Sequence, residues 1–538
     1  MKPYTSHLDT FTRDNLPPSI EWPVIKRQAL PELEYPERLN CASELLDRSV
    51  AAGHASKPLI WFEQQVWSYA DLLQYANRIA NVLIERFGLV AGNRVLLRGP
   101  NNPLMAACWF GVVKAGGVVV TTMPLLRERE LNYIVEKAQI SFALCDRRFS
   151  DELVAVQQGS ETLRDLLFFG GEGENSLERL AEAASPKFNN VETAADDTVL
   201  IAFTSGTTGK AKGCMHAHRD VMTICDCFPR SILKPVPEDR FIGTPPFAFT
   251  FGLGGLLLFP MRYGASTILL EKPGPGELLE AFERRGASIC FTSPTMYKAM
   301  LEQLPKFKPA SLKKCVSAGE TLPASTFEAW ERATGIRIID GIGATELLHI
   351  FISASPEEMR PGMTGKAIPG YEAQVIDETG QPVPDGQVGL LAVRGPTGCR
   401  YLNDPDRQHD YVKFGWNITG DAYTRDAKGY FQFHSRADDM IISSGYNISG
   451  VEVESALLSH PAVKECGVVG VPDEERGHIV KAFVVLRDPA QRAPESIKML
   501  QDFVKAEIAP YKYPREIEFV DALPRTETGK LQRFRLRE

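Results

Sequence analysis

Between residues 204 and 213 the chain reads Thr204-Ser205-Gly206-Thr207-Thr208-Gly209-Lys210-Ala211-Lys212-Gly213. Glycines let backbone amides approach an anion closely, serine and threonine hydroxyls add donors, and lysine adds charge; phosphate is the ligand that this mixture suits. The spacing Gly206-x-x-Gly209-Lys210, followed by Ala211, is not the GxxxxGK[ST] of a Walker A loop. A mobile surface loop can share the composition. Here, however, the apolar run Val199–Phe203 comes just before, which sets the loop at the carboxyl end of a buried strand. His216 and His218 have the spacing of a metal pair on a strand, but no third ligand of suitable type accompanies them, and no metal is assigned to the pair. No serine lies in the local context of a catalytic triad.

The elements that must hold such a loop are legible around it. Apolar, β-branched runs at Arg94–Leu97, Gly117–Thr121, Ile140–Cys145, Val199–Phe203, Ser266–Leu270, Ile289–Thr292 and Cys315–Ser317 alternate with helix-length segments such as Leu72–Phe87 and Leu278–Arg285. Continuous rather than alternating hydrophobicity indicates mostly parallel sheets covered on both faces. After Gly370 the texture turns to hairpins, with Glu372–Ile376 and Leu390–Val393 flanking a turn-rich stretch. Beyond Arg436–Asp439 about one hundred residues carry their own helix and strand alternation, the size of a small α+β domain. The boundary read from this is residues 1–436 against residues 437–538.

Composition excludes other classes. The 538 residues carry a net charge of -8, which argues against a nucleic-acid surface, and are 44% hydrophobic, ordinary for a soluble chain. The apolar stretch Leu253–Met261 is too short for a membrane helix, and Met1–Asn15 has no signal-peptide core, so a cytoplasmic protein is expected. Ten cysteines without a CxxC pair fit reduced, buried thiols.

Five further segments stand in order along the chain: Ser317-Ala-Gly-Glu320, Asp340-Gly-Ile-Gly-Ala-Thr-Glu346, Thr419-Gly-Asp421, Arg436-Ala-Asp438-Asp439 with Ser444-Gly445, and Pro524-Arg-Thr-Glu-Thr-Gly-Lys530. Together with the Gly-rich loop they resemble the adenylate-forming superfamily, which includes acyl- and aryl-CoA synthetases, peptide-synthetase adenylation domains and luciferases. The resemblance runs from about Tyr35 to the end. It implies an α/β fold: a large N-terminal domain of stacked, mostly parallel sheets with a β-rich subdomain, followed by a small mobile C-terminal α+β domain. It also implies ATP, Mg2+ and coenzyme A.

Carried over residue by residue, the resemblance makes Glu346 the carboxylate that would hold Mg2+ against the ATP phosphates. Thr204, Thr207, Thr208, Lys210 and Thr345 would surround those phosphates, with Ser205, Gly206 and Gly209 in the same loop. Asp340 matches the position that accepts from the adenine amino group. Ala318 and Gly319 would pack on the ring, and Glu320 and Gly341 belong to the same nucleotide site. Asp421 and Arg436 match ribose contacts, Asp438 the hinge pivot, and Gly445 the wall of a pantetheine tunnel. Lys530 resembles the lysine that reaches the acyl carboxylate and the α-phosphate; with Glu346 and Thr204 it forms the catalytic set. The tyrosine common before the glycine of the Gly-x-Thr-Glu motif is Ile342 here, so ring packing has to come from elsewhere.

Asp340–Phe351, Ser317–Glu320 and Phe249-Thr-Phe-Gly-Leu-Gly254, with Asp14–Pro18 and Leu33–Asn40, look like the benzoate-CoA and 2-aminobenzoate-CoA ligase branch. An aryl pocket would use Phe249, Thr250, Phe251, Ile342, Gly343, His349 and Ile350, a flat apolar slot suited to a benzene ring. Core packing is the alternative for Phe249 and Phe251, and an internally bonded core histidine for His349. The partners expected are a small aromatic acid, ATP and CoA, with no nucleic acid and no membrane; a homodimer is compatible with the sequence. Loading a carrier-protein thiol instead of CoA is the rival reading. One donor aimed at phosphorus contributes about a hundredfold or more in rate. Lys530→Ala should therefore abolish acyl-adenylate formation and spare thioester formation from synthetic aryl-adenylate plus CoA. Equal loss of both half-reactions in single-turnover assays would contradict the assignment.

Overall fold

The computed structural model describes residues 4–171, 173, 176–204, 211–443, 446–473, 476–508, 510–525 and 531–537. It is an α/β structure built on two large sheets, as the apolar runs require. In the six-stranded sheet the order is Asp165–Phe169, Phe142–Asp146, Arg94–Arg98, Val118–Thr122, Thr198–Thr204 and Lys212–Ala217. All neighbours are parallel except the final pair, which forms an antiparallel hairpin that carries the Gly-rich loop at its tip. Strands Arg94–Arg98, Val118–Thr122 and Phe142–Asp146 are buried at every position, the pattern of strands covered on both faces.

The nine-stranded sheet has a parallel centre, in which Ile338–Gly343, Lys314–Ser317, Ile289–Thr292, Arg240–Gly243, Ser266–Ile268 and Pro58–Phe62 follow one another across the sheet. Antiparallel strands flank that centre, among them Ile350–Ser353, which turns back on Ile338–Gly343. Helices fill the crossovers. Helix Tyr69–Asn81 opens with a capping box between Ser68 and Asp71 and lays Leu72, Ala76, Ile79 and Ala80 against helix Pro103–Lys114 and the core. The expected hairpin after Gly370 is strands Glu372–Ile376 and Gly389–Arg394, part of an antiparallel five-stranded sheet that also holds Trp416–Arg425 and Phe431–Arg436.

Beyond residue 440 the chain builds separate small cores. Strands Val463–Asp473, Gly477–Leu486 and Glu516–Phe519 form a sheet against helices Gly450–Ser459 and Pro494–Glu507. Their core of Val453, Leu457, Val484, Leu500 and Val504 contains no residue from the large sheets. All ten cysteines are buried free thiols. Among the described residues no helix is long and apolar enough to cross a membrane.

Candidate active site

Thr204, Ser317 and Thr345–Glu346 stand at or just beyond the carboxyl ends of strands of the two large sheets, the position at which α/β sheets generally bind ligands. Thr204 ends its strand in register with Lys212 on the returning arm of the hairpin. That arm reaches the other sheet through His216, whose Nε2 donates to the Thr345 carbonyl at 2.7 Å. His218 begins a helix instead and turns its Nδ1 to the backbone amide of Cys41 at 3.2 Å. The two histidines therefore diverge, because the strand ends between them.

In the nine-stranded sheet Ser317 and Asp340 are neighbours on adjacent parallel strands. Ala318, buried, and Gly319, exposed, follow Ser317. Gly319 has φ +90, and nothing lies within 4 Å of the point a Cβ would occupy, so its backbone edge is open. The Asp340 carboxyl is buried and its Oδ1 has no hydrogen-bond partner among the described residues. Burial pushes its pKa up to about 8. Gly341 follows, pressed against Ile350. Glu320 is half-buried and accepts from the Thr295 hydroxyl at 2.6 Å.

Glu346 sits in the single 3-10 turn Thr345–Leu347, and Leu348 next to it has φ 71, a strained backbone for a branched residue. Its carboxylate is buried and accepts from the Tyr401 hydroxyl at 2.5 Å. Burial raises its pKa, and the Tyr401 hydrogen bond opposes that shift. No ion pair to Glu346 is found among the described residues. A lone buried carboxylate of this kind fits one ligand of a magnesium ion whose other ligands are phosphates and water. Asp421 and Arg436 face each other across two antiparallel strands, with Nη1 to Oδ1 at 2.9 Å. Gly420, which precedes Asp421, has φ +75, and a Cβ there would lie 2.8 Å from the guanidinium.

Of the aryl-pocket candidates, Phe251 lies against the His349 ring and Gly343 against its backbone. Thr250–Arg262 is one helix interrupted by a π-turn at Gly254–Leu258, a feature frequent at functional sites. The π-turn lets Gly254 back onto His349, where a Cβ would meet the imidazole at 2.5 Å. Phe251 and Phe228 lie 5.8 Å from the imidazole centroid and Phe259 lies 4.5 Å from it, edge on. Burial in this cage drives the His349 pKa down to about 3, so the ring is neutral. Neither ring nitrogen has a side-chain partner among the described residues, and the Phe251 backbone opposes the shift. Ile342 is half-buried and Gly343 exposed, the latter in register with buried Ile350. Phe249 is half-buried at the start of the helix, ahead of half-buried Thr250.

Ser205, Gly206, Thr207, Thr208, Gly209, Lys210, Gly445 and Lys530, as well as the side chain of Asp438, lie outside the described residues. Sequence reasoning missed Tyr401, Phe228 and Phe259. Phe259 lies one helical stretch beyond Phe251 and could have been found by its spacing; no local signal marks Tyr401.

Comparison with known proteins agrees with this geometry. Residues 47–400 match the AMP-binding enzyme family and residues 452–530 its C-terminal domain. The benzoate--CoA ligase of Thauera aromatica is 36% identical, the alignment covering 94% of this chain and 97% of that one. An anthranilate CoA ligase solved with anthranoyl-AMP superposes with TM-score 0.89 at 32% identity, covering 94% and 98% of the two chains. ATP-bound MatB of Rhodopseudomonas palustris superposes with TM-score 0.84 at 30% identity, over 93% and 98%. The chain belongs to the AMP-binding, adenylate-forming enzyme family, in the branch that contains benzoate- and aminobenzoate-CoA ligases. It is an enzyme of the AMP-forming acid–thiol ligase class, with ATP and CoA as the substrates that fit this family.

The raised Asp340 pKa has a stability consequence. Between about pH 4 and pH 8 the folded state keeps a proton that the unfolded chain has released, so stability falls as pH rises through that window. Asp340→Asn removes the penalty. Its Tm should exceed that of the parent by about 2 °C or more at pH 8.5, with the gap closing near pH 4.5. Equal gaps in thermal melts at both pH values would contradict the account.

Proposed function

We propose that this enzyme is an ATP-dependent aryl-CoA ligase acting on benzoate-sized acids, with 2-aminobenzoate among the best. The observation that carries the reading is His349, a neutral imidazole buried in an aromatic cage with only the Phe251 backbone as a polar neighbour among the described residues. The relatives support it, since one is named for benzoate and the solved structure above holds anthranoyl-AMP, the adenylate of 2-aminobenzoate.

In the first half-reaction an acid carboxylate oxygen bonds to the α-phosphorus of ATP as the α–β phosphoanhydride bond breaks, giving an aryl-AMP and pyrophosphate. The carboxylate is already a nucleophile and needs no general base. Thr204 and the loop after it would cradle the phosphates, with Thr345 nearby. Glu346 would hold a magnesium ion, which supplies charge neutralisation on the phosphate oxygens. Asp340, Gly341, Ala318, Gly319 and Glu320 would seat the adenine, and Asp421 with Arg436 the ribose. Lys530 would bridge the acyl carboxylate and the α-phosphate.

In the second half-reaction the CoA sulfur bonds to the acyl carbon, the acyl–phosphate bond breaks, and AMP leaves with the thiol proton passing to solvent. One site serves both steps, so residues 437–538 are proposed to act as a lid that swings about Asp438, withdrawing Lys530 and bringing Gly445 to the pantetheine path. Loading of a carrier-protein thiol is the alternative acceptor reaction.

The test is the selectivity of His349→Ala. A pocket shaped by apolar contact separates acids differing by one small group by ~1–3 kcal/mol, and an ortho amino group left without its partner costs ~1–3 kcal/mol. His349→Ala should lower kcat/KM for 2-aminobenzoate about tenfold more than for benzoate. Equal losses reduce His349 to packing, and a preference of the parent enzyme for octanoate over both acids overturns the aryl reading.

A further inference from the structure

Glu346 is carried by three residues of 3-10 helix that end on a strained leucine, and such a turn cannot by itself fix a side chain. Three hydrogen bonds do: the Thr397 hydroxyl donates to the Leu347 carbonyl at 2.8 Å, and the other two come from one place. His216, on the strand that leaves the Gly-rich loop, holds the Thr345 carbonyl at 2.7 Å. Tyr401 holds Oε1 of Glu346 at 2.5 Å, and Tyr401 is itself tied to that strand: it forms an antiparallel bridge with Cys214. The backbone bonds from Met215 N to Arg400 O and from Leu402 N to Gly213 O, both 2.8 Å, flank that bridge.

The phenol has little freedom to leave. Its side chain is 1% exposed, the Tyr411 ring packs edge-on at 5.8 Å, and its backbone amide donates to Gln408 Oε1 at 2.9 Å. A hydroxyl fixed on Oε1 orients the carboxylate. Because Tyr401 is bridged to strand Lys212–Ala217, that strand and the carboxylate are held in one frame.

We propose that Tyr401 is a positioning residue that presents the Glu346 carboxylate to the metal and phosphate end of the site, with His216 holding the same turn. This rests on the reading of Glu346 as the magnesium-binding carboxylate. The experiment uses the full-length enzyme saturated with α,β-methylene ATP, into which Mg2+ is titrated calorimetrically. Tyr401→Phe removes one hydroxyl from a charged acceptor and should weaken Mg2+ binding about tenfold or more, while AMP binding in EDTA stays unchanged. In steady state the loss should fall on the Mg2+ half-saturation and not on KM for the acid. In a Glu346→Gln background the same substitution should have no further effect, which a general loss of packing would not reproduce.

Parent-like Mg2+ binding by Tyr401→Phe, with Glu346→Gln impaired, overturns the role of Tyr401 and leaves Glu346 standing. Parent-like binding by Glu346→Gln overturns both. Should Tyr401→Phe fail to fold, His216→Ala carries the test through the second bond. There the expected result is a similar loss that His216→Gln, which keeps a donor for the Thr345 carbonyl, recovers; an unaltered His216→Ala refutes the clamp.

Discussion

The hydrogen bond from His216 to the Thr345 carbonyl spans the junction of the two large sheets, and the geometry of the candidate site depends on that junction. One sheet ends in a loop suited to anions, the other in strands that carry Asp340 and Glu346. Neither edge makes the site alone. The bridge between Cys214 and Tyr401 and the bond from Tyr401 to Glu346 repeat the connection beside it, so the two edges are bonded at several points. Buried hydrogen bonds between rigid elements fix relative position more firmly than apolar packing, which is tolerant of sliding.

Three carboxylates of the candidate site are buried under different terms. Asp421 is compensated by Arg436, Glu346 by a phenol, and Asp340 keeps an open oxygen and a raised pKa. Burying a charge without full compensation costs stability, and groups held so are frequent at functional sites. His349 follows the same logic in an apolar setting: a polar ring is kept dry and neutral within an aromatic cage. Among the described residues the Asp340 Oδ1 is left without a hydrogen-bond partner, which is a condition for binding something else strongly.

The fold was legible where burial is continuous. The runs at Arg94, Gly117, Ile140, Val199 and Ile289 are central strands with ends within one or two residues, because a strand covered on both faces is apolar through most of its length. Strand Lys212–Ala217 was not legible; it follows the polar loop, holds a glycine and a histidine, and is defined by pairing rather than by pattern. The histidine spacing suggested a shared direction, yet the helix that starts at His218 sends the two rings apart. The π-turn behind His349 depends on glycines packing against Phe291 and His349 from distant segments. Tyr401 is the clearest case of what local reading misses, since its meaning comes from a bridge to Cys214 and a carboxylate fifty-five residues away in sequence.

The central claim is that acid and ATP react to completion of an adenylate before any thiol is needed. Exchange of labelled pyrophosphate into ATP, measured with 2-aminobenzoate and without CoA, tests it most directly. The account predicts exchange that requires the acid and Mg2+ and proceeds with no thiol present. Absence of exchange until CoA is added, or formation of ADP and phosphate in place of AMP and pyrophosphate, would contradict it.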